Sequence, residues 1–447
     1  MHIVESFQNI FKIPELRRRI FWTFALLVVF RLGSHVALPG VNPVAIGEFR
    51  DQMAREGGNI FHLMQVFSGG ALGNLALFAL GIMPYITASI IMQLMTKVSP
   101  SLEAIAKEGP SGQRKIHQYT RYATIPVCIV QGIFAARQLS QWSVAQVAAG
   151  KTPLLMSTGF GGVLFLMLGL MGGAMFIMWL GEQITDRGIG NGASVLIMSG
   201  IVARMPAIMG EMIGEVQKER ISADAIVIIV VVYLATIVSI VFVTQAQRRI
   251  PLQHAKHIRG RRMMSGGRNY LPLRVNTSGV MPVIFASSLL VLPQMISLVP
   301  GMGWMSEIFQ RGWFFYSIFY VVTIIFFSYF WTYLFFQPQE IALQLKESGS
   351  FVPGIRPGEN TAQYLNTILS RITLSGAVFL CIIALMPDLI SVGLRVDRYL
   401  VAFLGGTGIL IVVGVGLDII QKIESYLLMH HYGGFLGPGG IRGRRGR

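Results

Sequence analysis

The amino-acid sequence predicts an all-α polytopic membrane protein with about ten transmembrane helices. Of its 447 residues, 53% are hydrophobic and only 13% are charged, and the mean hydropathy is +0.59. A soluble domain carries about 25% charged residues, so a single large water-soluble globule is excluded. Intrinsic disorder is excluded as well, because it requires low hydrophobicity. Stretches free of Asp, Glu, Lys and Arg recur along the chain, and many approach the roughly 20 residues that a helix needs to cross a bilayer.

These stretches predict the helices in order. The first apolar run is too long for a cleaved signal peptide and continues the pattern of the rest, so we expect it to be the first span. The predicted spans are residues 20–38, 76–97, 118–138, 154–180, 190–209, 224–245, 277–299, 313–336, 371–391 and 400–426.

The stretch between Glu56 and Lys97 is too long for one helix. Its first part contains Gly69, Gly70 and Gly73, and each glycine disfavours a helix by about 1 kcal/mol relative to Ala. We therefore expect a short, weakly held segment followed by a full span. Irregular backbone at membrane depth is tolerated only inside protein or beside a water-filled cavity, which is a first indication of a channel. An external loop with a few apolar residues is the alternative.

Basic residues predict the orientation in the membrane. With a cytoplasmic N-terminus and ten spans, 26 of the 37 Lys and Arg residues fall on the cytoplasmic side, ten fall on the other side, and Arg31 lies within the first span. This bias follows the positive-inside rule and predicts that both termini are cytoplasmic. The net charge of +16 therefore reports topology more than nucleic-acid binding.

Residue types that carry catalysis or bind metals are scarce in the spans. Transporters and pumps mark their pathway with ionisable groups near the bilayer midplane, whereas Arg31 is near the outer end of its helix and can snorkel or pair with a neighbour. Cys128 and Cys381 lie in apolar runs, which favours inert packing over a disulfide scaffold or metal site. The run Gly188–Gly192 lacks the preceding strand and the Lys of a nucleotide-binding loop. We expect no enzyme activity and no cofactor.

Two cytoplasmic loops, residues 244–276 and 337–370, are longer than a helix connection requires. The first contains eight basic residues and no acid, and its proline near the end suggests a projecting hairpin. In the second, Arg356 is held between Pro and Gly residues that fix sharp turns. A rigid, exposed arginine suits docking to a carboxylate-bearing partner. Alternatively, both loops only orient the protein and touch anionic lipid.

Five motifs carry a family resemblance. They are Phe67-Ser-Gly-Gly-Ala-Leu, Ala79-Leu-Gly-Ile-Met-Pro-Tyr-Ile86, Gln118-Tyr-Thr-Arg-Tyr122, Trp179-Leu-Gly-Glu-Gln-Ile-Thr-Asp-Arg-Gly-Ile-Gly-Asn-Gly192 and Phe351-Val-Pro-Gly-Ile-Arg-Pro-Gly-Glu359. The chain resembles the SecY family, the central subunit of the bacterial protein-conducting channel, from the first span to the last.

The resemblance implies two pseudo-symmetric five-helix halves and a short plug helix. The implied divisions are a cytoplasmic N-terminus at 1–19, an N-terminal half at 20–210 with a plug at about 60–75, an external loop at 211–223, a C-terminal half at 224–426 and a basic cytoplasmic tail at 427–447. It also implies an hourglass pore with an aliphatic ring at its waist. The matching positions are Ile82, Ile86, Ala193, Ile197, Ile284 and Ile411. Bacterial relatives commonly have isoleucine in place of Ala193, so the smaller side chain departs from the family pattern.

Further sites follow from the same resemblance. The plug matches Phe67, Ser68, Gly69, Gly70, Ala71, Leu72, Gly73 and Asn74. A lateral gate, through which apolar segments reach lipid, places Thr87, Gln131 and Leu292 near its seam. Ordinary helix contact is the alternative reading of the seam. Residues expected to contact a motor or ribosome are Arg248, Arg249, Arg261, Arg262 and Arg356.

The function expected from these observations is a passive polypeptide-conducting channel in the bacterial inner membrane. The implied partners are the small subunits SecE and SecG, the SecA ATPase, the ribosome through rRNA phosphates, signal peptides, unfolded polypeptides and anionic lipids. Two alternatives stay open: a secondary transporter of small solutes, and an insertase or scaffold without a continuous pore.

Overall fold

The structure, a computed structural model, is built mainly from helices. It describes residues 13–49, 65, 67–148, 150, 152–156, 159–218, 222–254, 257–259, 262–264, 268–296, 314–394, 396, 401 and 406–435. The helices are α1 (Pro14–Gly33), α2 (Met83–Val98), α3 (Pro100–Lys107), α4 (Pro110–Ala148), α5 (Phe160–Arg187), α6 (Gly192–Gln217), α7 (Ala223–Gln245), α8 (Met281–Ile296), α9 (Phe314–Phe335), α10 (Pro338–Glu347), α11 (Glu359–Leu394) and α12 (Thr407–Phe435). Each of the ten predicted spans overlaps one of these helices, so the predicted fold class is confirmed.

Several helices are long and apolar enough to cross a membrane. By length and composition, five segments of the described chain meet this condition: Phe160–Arg187, Gly192–Gln217, Asp224–Gln245, Phe314–Glu347 and Glu359–Gly393. A shorter apolar helix runs over Met281–Leu290. Their outward faces are apolar, with side chains such as Phe165, Val238 and Phe326 more than half exposed. An exposed apolar surface of this kind is what lipid requires.

The predicted span 76–97 differs from its expectation at its start. The regular helix α2 begins only at Met83, and residues 77–82 form turns. Residues 78–82 are buried and Leu77 is half-buried. Several of their backbone groups are bonded, since Leu77 N donates to the Val36 carbonyl at 2.8 Å and Gly81 N to the Phe78 carbonyl at 2.8 Å. Irregular backbone is tolerated at membrane depth under these conditions.

The contacts divide the chain into two compact units, Met1–Ala207 with Val415–Arg447, and Ile208–Gly414. The core of the first unit is a cluster of buried side chains from α4, α5 and the segments before α2. In α5, Gly173 permits the closest approach, because a Cβ there would lie 1.9 Å from the Leu77 carbonyl oxygen. The irregular segment before α2 is thus packed directly on the backbone of α5.

The second unit has two apolar clusters. One lies among α8, α9, α11 and α12 and includes Leu290, Tyr320, Ile324 and Leu380. The Ser287 hydroxyl lies 3.1 Å from the Tyr320 hydroxyl within it. This buried polar pair is satisfied, as a membrane interior demands.

The other cluster lies beneath a small sheet. Strands β1 (Gln247–His254), β4 (Arg268–Arg274) and β5 (Ser350–Phe351) form a sheet in the order β4-β1-β5, and β2 (His257–Arg259) pairs with β3 (Arg262–Met264). The register pairs Ile250 with Leu271 and Gln253 with Phe351. We call this sheet, with α10 and residues 359–372 of α11, the platform. The predicted hairpin in 244–276 is confirmed for the described strands.

Candidate functional site

The predicted plug segment, residues 67–74, is buried rather than loosely held. Residues 68–75 form consecutive turns, and among residues 67–74 only Asn74 is half-buried. The turns are closed by bonds such as Gly70 N to the Gln65 carbonyl at 3.0 Å. The Ser68 hydroxyl accepts from Leu72 N at 3.3 Å. The glycines weaken a regular helix, as expected, but they also let the segment pack closely.

Close packing of the plug segment depends on three glycine positions. A Cβ at Gly69 would lie 2.7 Å from Gly200 Cα, one at Gly70 would lie 2.6 Å from Arg204 Nη1, and one at Gly73 would lie 2.4 Å from Gln65 Nε2. Gly69 and Gly70 have φ values of +62° and +88°, which side chains rarely adopt. The segment therefore packs against its neighbours through its backbone.

Four of the six predicted ring residues belong to the first unit. A Cβ at Gly181 of α5 would lie 3.6 Å from Ile82 Cδ1 and 3.6 Å from Ala193 N. Ile82 and Ala193, two predicted ring residues from different elements, thus both lie next to Gly181. Ile197 follows Ala193 by one turn of α6, so this pair shares a helix face. Ile82 immediately precedes α2, and its carbonyl accepts from Ile86 N at 3.1 Å. Ile82 and Ile197 are each only 3% exposed.

The other two ring residues belong to the second unit. Ile284 lies on α8 and Ile411 on α12, and both are buried. Gly414 of α12 lies against Val280, the residue before α8, since a Cβ at Gly414 would lie 2.6 Å from Val280 Cγ2. Ile284 is one turn after Val280, and Ile411 is three residues before Gly414, so both residues lie next to this contact.

The glycine-rich run Gly188–Gly192 joins α5 to α6. Gly190 has a φ of +95°. The Gly192 N donates to Thr185 Oγ1 at 2.9 Å, and Ile189 N donates to Thr23 Oγ1 of α1 at 3.1 Å. A tight turn between two apolar helices, tied to α1, accounts for these glycines.

The predicted lateral-gate residues lie on three helices. The Thr87 hydroxyl of α2 donates to the Met83 carbonyl at 3.0 Å, one turn earlier in the same helix. Its proton is therefore used locally, and the hydroxyl oxygen retains only acceptor capacity. Gln131 is half-buried on α4, which packs against α2. Leu292 lies on α8, but its side chain is outside the described residues.

Three of the predicted partner-binding arginines, Arg248, Arg249 and Arg356, lie on or near the platform. Arg248 and Arg249 are exposed on β1, Arg262 begins β3 with a side chain outside the described residues, and Arg261 lies outside them altogether. Arg356 is exposed, and its carbonyl accepts from Thr361 Oγ1 at 2.9 Å. Gly354 and Gly358 on either side have φ values of +81° and +108°. Turns and a helix N-terminus thus fix the backbone that presents Arg356.

A mostly apolar groove lies on the platform and reaches Gly358, two residues after Arg356. It has a volume of about 600 Å³ and is lined by residues of α10 and of the start of α11, with Ala342, Leu343 and Ala362 among them. Leu343 is 55% exposed. The groove and the arginine together give this surface both apolar and cationic character.

Comparison with known proteins gives the family. A SecY family profile matches residues 76–420. The chain belongs to the SecY family. "Protein translocase subunit SecY" of Thermotoga maritima is 41% identical over 446 residues, which are 99% of this chain and 100% of the relative. The protein of the same name from Escherichia coli K12 is 40% identical over 436 residues, 96% of each chain.

Solved structures give the same fold. The structure titled "The structure of a protein conducting channel" matches with a TM-score of 0.63 at 18% identity, covering 92% of this chain and 93% of that one. "Sec61 in the Canine ribosome-channel complex from the endoplasmic reticulum" matches with a TM-score of 0.60 at 17% identity over 92% and 93%. At this identity the likeness shows the fold of a SecY-family, multi-pass membrane protein.

Sequence reasoning missed two polar features of this SecY-family chain. Arg31 donates through Nη1 to the Gly69 carbonyl at 3.3 Å, whereas the sequence suggested snorkelling or pairing without identifying the plug as its neighbour. Arg121 of α4 pairs with Glu182 of α5 through Nε and Oε1, and Glu182 is only 18% exposed. Arg121 and Glu182 both lie within the quoted motifs, and their opposite charges were the signal in the sequence that could have indicated the ion pair. The separation of 61 positions in the sequence hid the contact.

Proposed function

We propose that this chain is a passive polypeptide-conducting channel that moves unfolded proteins across the bacterial plasma membrane and releases apolar segments sideways into lipid. The observation that carries the proposal is its membership, over almost the whole length, in a family whose curated relatives are named protein translocase subunits. The alternatives of a solute transporter and a poreless scaffold gain no support from these relatives.

In the proposed pore, residues 20–210 and 224–426 supply the two halves. Ile82, Ile86, Ala193 and Ile197 from the first and Ile284 and Ile411 from the second form the constriction. An aliphatic ring offers an ion nothing in place of its hydration shell and gates by dewetting. It also deforms around side chains of any size without trapping one through specific hydrogen bonds. The burial of these positions and the shared contact of Ile82 and Ala193 at Gly181 support the assignment.

The proposed plug is the segment 67–74. Its bonds are mainly short-range backbone turns, so it can move away as a unit without breaking a long helix. One solved relative is titled "The plug domain of the SecY protein stablizes the closed state of the translocation channel and maintains a membrane seal". The burial of the corresponding segment in this chain supports the same role here.

The proposed lateral seam involves Thr87, Gln131 and Leu292. Since the Thr87 proton is bonded within α2, Gln131 is the stronger donor at this seam. An interhelical hydrogen bond in a membrane contributes about 1 kcal/mol, which is weak enough for repeated opening.

The proposed partners dock on the platform, with both termini in the cytoplasm. Arg248, Arg249, Arg261 and Arg262 suit rRNA phosphates or anionic lipid, where attraction is strongly salt-dependent. Arg356 suits a carboxylate of the SecA ATPase. SecE would clamp the two halves, SecG would be a further small membrane subunit, and signal peptides and unfolded chains would be the cargo. The energy for transport comes from the motor, translation or the membrane potential.

Deleting residues 67–74 tests the proposal. The purified full chain in lipid vesicles should pass little current at rest, and the deletion should raise the leak of small ions. Arg356→Ala is the control, since it lies on the platform and should leave the leak unchanged while reducing motor-driven export. An unchanged leak after the deletion would contradict the plug and, with it, the assigned pore.

A further inference from the structure

The plug segment contacts two arginines that belong to different helices. Arg31 near the end of α1 donates through Nη1 to the Gly69 carbonyl at 3.3 Å. Arg204 of α6 lies over the next residue, since a Cβ at Gly70 would be 2.6 Å from its Nη1. Two adjacent backbone units of one short segment are thus held against two guanidinium groups.

The same segment touches the backbone of α6 directly. A Cβ at Gly69 would lie 2.7 Å from Gly200 Cα, and a Cβ at Gly200 would lie 2.7 Å from Gly69 Cα. Gly200 and Arg204 are one turn apart, so they lie on the same face of α6. Gly69 and Gly70 pack against this face of α6, and Arg31 of α1 donates to the Gly69 carbonyl.

The two arginines make this contact different from ordinary packing. Each guanidinium is positive at any physiological pH, and the two lie against consecutive residues of the same segment. A hydrogen bond from a charged donor is roughly twice as strong as a neutral one. The hydrogen bond to the Gly69 carbonyl therefore offsets part of the free-energy cost of burying the Arg31 charge, but only while the segment is packed against α6.

We propose that Arg31 is the latch of the plug: its hydrogen bond to the Gly69 carbonyl, made possible by the Gly69–Gly200 contact, holds the channel closed at rest. Arg31 is thus a positioning residue that acts through the plug. The inference rests on the proposed function, since it takes residues 67–74 as the plug.

The latch predicts a graded effect on resting leak. For the full chain in lipid vesicles, Arg31→Gln should raise the rate of small-ion leak about tenfold, which corresponds to about 1.4 kcal/mol of lost preference for the closed state. Arg31→Lys, which keeps the charge but loses the fork of donors, should give a smaller rise. Arg18→Gln is the matched control, because Arg18 is exposed on the same helix and its replacement should leave the leak unchanged.

A double-variant cycle separates a latch from a structural role. In a chain lacking residues 67–74, Arg31→Gln should add no further leak, because the acceptor is already gone. An additional rise of the same size would overturn the latch. Gly200→Ala, which displaces Gly69 without touching Arg31, should also raise the leak, and keeps the test open if Arg31→Gln unfolds the protein.

The outcomes distinguish the latch from the plug itself. If the deletion raises the leak and both Arg31 variants leave it at rest level, the latch is wrong and the plug stands. If the deletion leaves the leak unchanged, the plug assignment is wrong and the latch falls with it. A rise in the Arg31 variants that disappears in the deletion background supports both.

Discussion

Replacing Gly192 by Ala should destabilise the junction between α5 and α6. A Cβ at Gly192 would lie 1.7 Å from the Gly181 carbonyl oxygen and 2.9 Å from Thr185 Oγ1. Since real Cβ atoms essentially never approach closer than 3.0 Å, the oxygen would have to retreat by more than about 1 Å in a close-packed interior. That oxygen belongs to the backbone of α5 and cannot rotate away.

The cost follows from overpacking. Extra carbon in a packed core costs about 1–3 kcal/mol, and we expect the upper half of that range here because backbone must move. The displacement falls on Gly181, whose Cβ position is 3.6 Å from both Ile82 Cδ1 and Ala193 N. Stability and resting leak should therefore change together.

Thermal unfolding of the purified full chain, followed by circular dichroism, checks the reasoning. The control is Gly210→Ala on the same helix, where a Cβ meets nothing within 4 Å and Ala gains up to about 1 kcal/mol of helix propensity. Gly192→Ala should unfold at a lower temperature than the parent, and Gly210→Ala at an equal or higher one. A Gly192→Ala protein as stable as the control would refute the argument.

Three further predictions concern the platform and the ion pair. Arg356→Glu should abolish motor-driven export without changing the thermal midpoint; normal export in a vesicle assay would remove Arg356 from the docking surface. Charge reversal at Arg121 and at Glu182 should each destabilise the chain, and the double swap should restore about 1 kcal/mol, whereas additive losses in unfolding would argue against the pair. Leu273→Ala should cost about 2–5 kcal/mol by opening a cavity beneath the sheet and should speed limited proteolysis of the hairpin, whereas exposed Gln253→Ala should not.

The spans were predictable because lipid demands long apolar runs. The ends of several helices were not predictable in this way, because helical turns that face water need not be apolar. The helix α11 begins at Glu359, whereas the predicted span began at residue 371. Its first turns are polar outside and place Leu365 and Leu369 under the platform sheet. A search for uncharged stretches does not detect an amphipathic helix segment of this kind.

The proposed plug segment was predictable as an interruption of the helical pattern, but the residues it packs against were not. Three glycines in a short run indicate a weak helix from local propensity alone. The contacts of Gly69 with Arg31 and Gly200 join residues 38 and 131 positions apart, and nothing in the local pattern encodes such pairings. The pairing of β5 with β1 was hidden for the same reason, since about a hundred residues separate Gln253 from Phe351.

The continuity of α11 has a mechanical consequence. Its 36 residues span about 54 Å. One end packs beneath the sheet that carries the proposed docking arginines Arg248 and Arg249, and the other packs among apolar helices. The only described proline within it is Pro387, close to the far end. One continuous helix therefore connects the platform to the apolar cluster among α8, α9 and α12. If the proposed partners bind the platform, displacement of its strands would be transmitted through α11 to the buried side chains around Leu380 and Ala384.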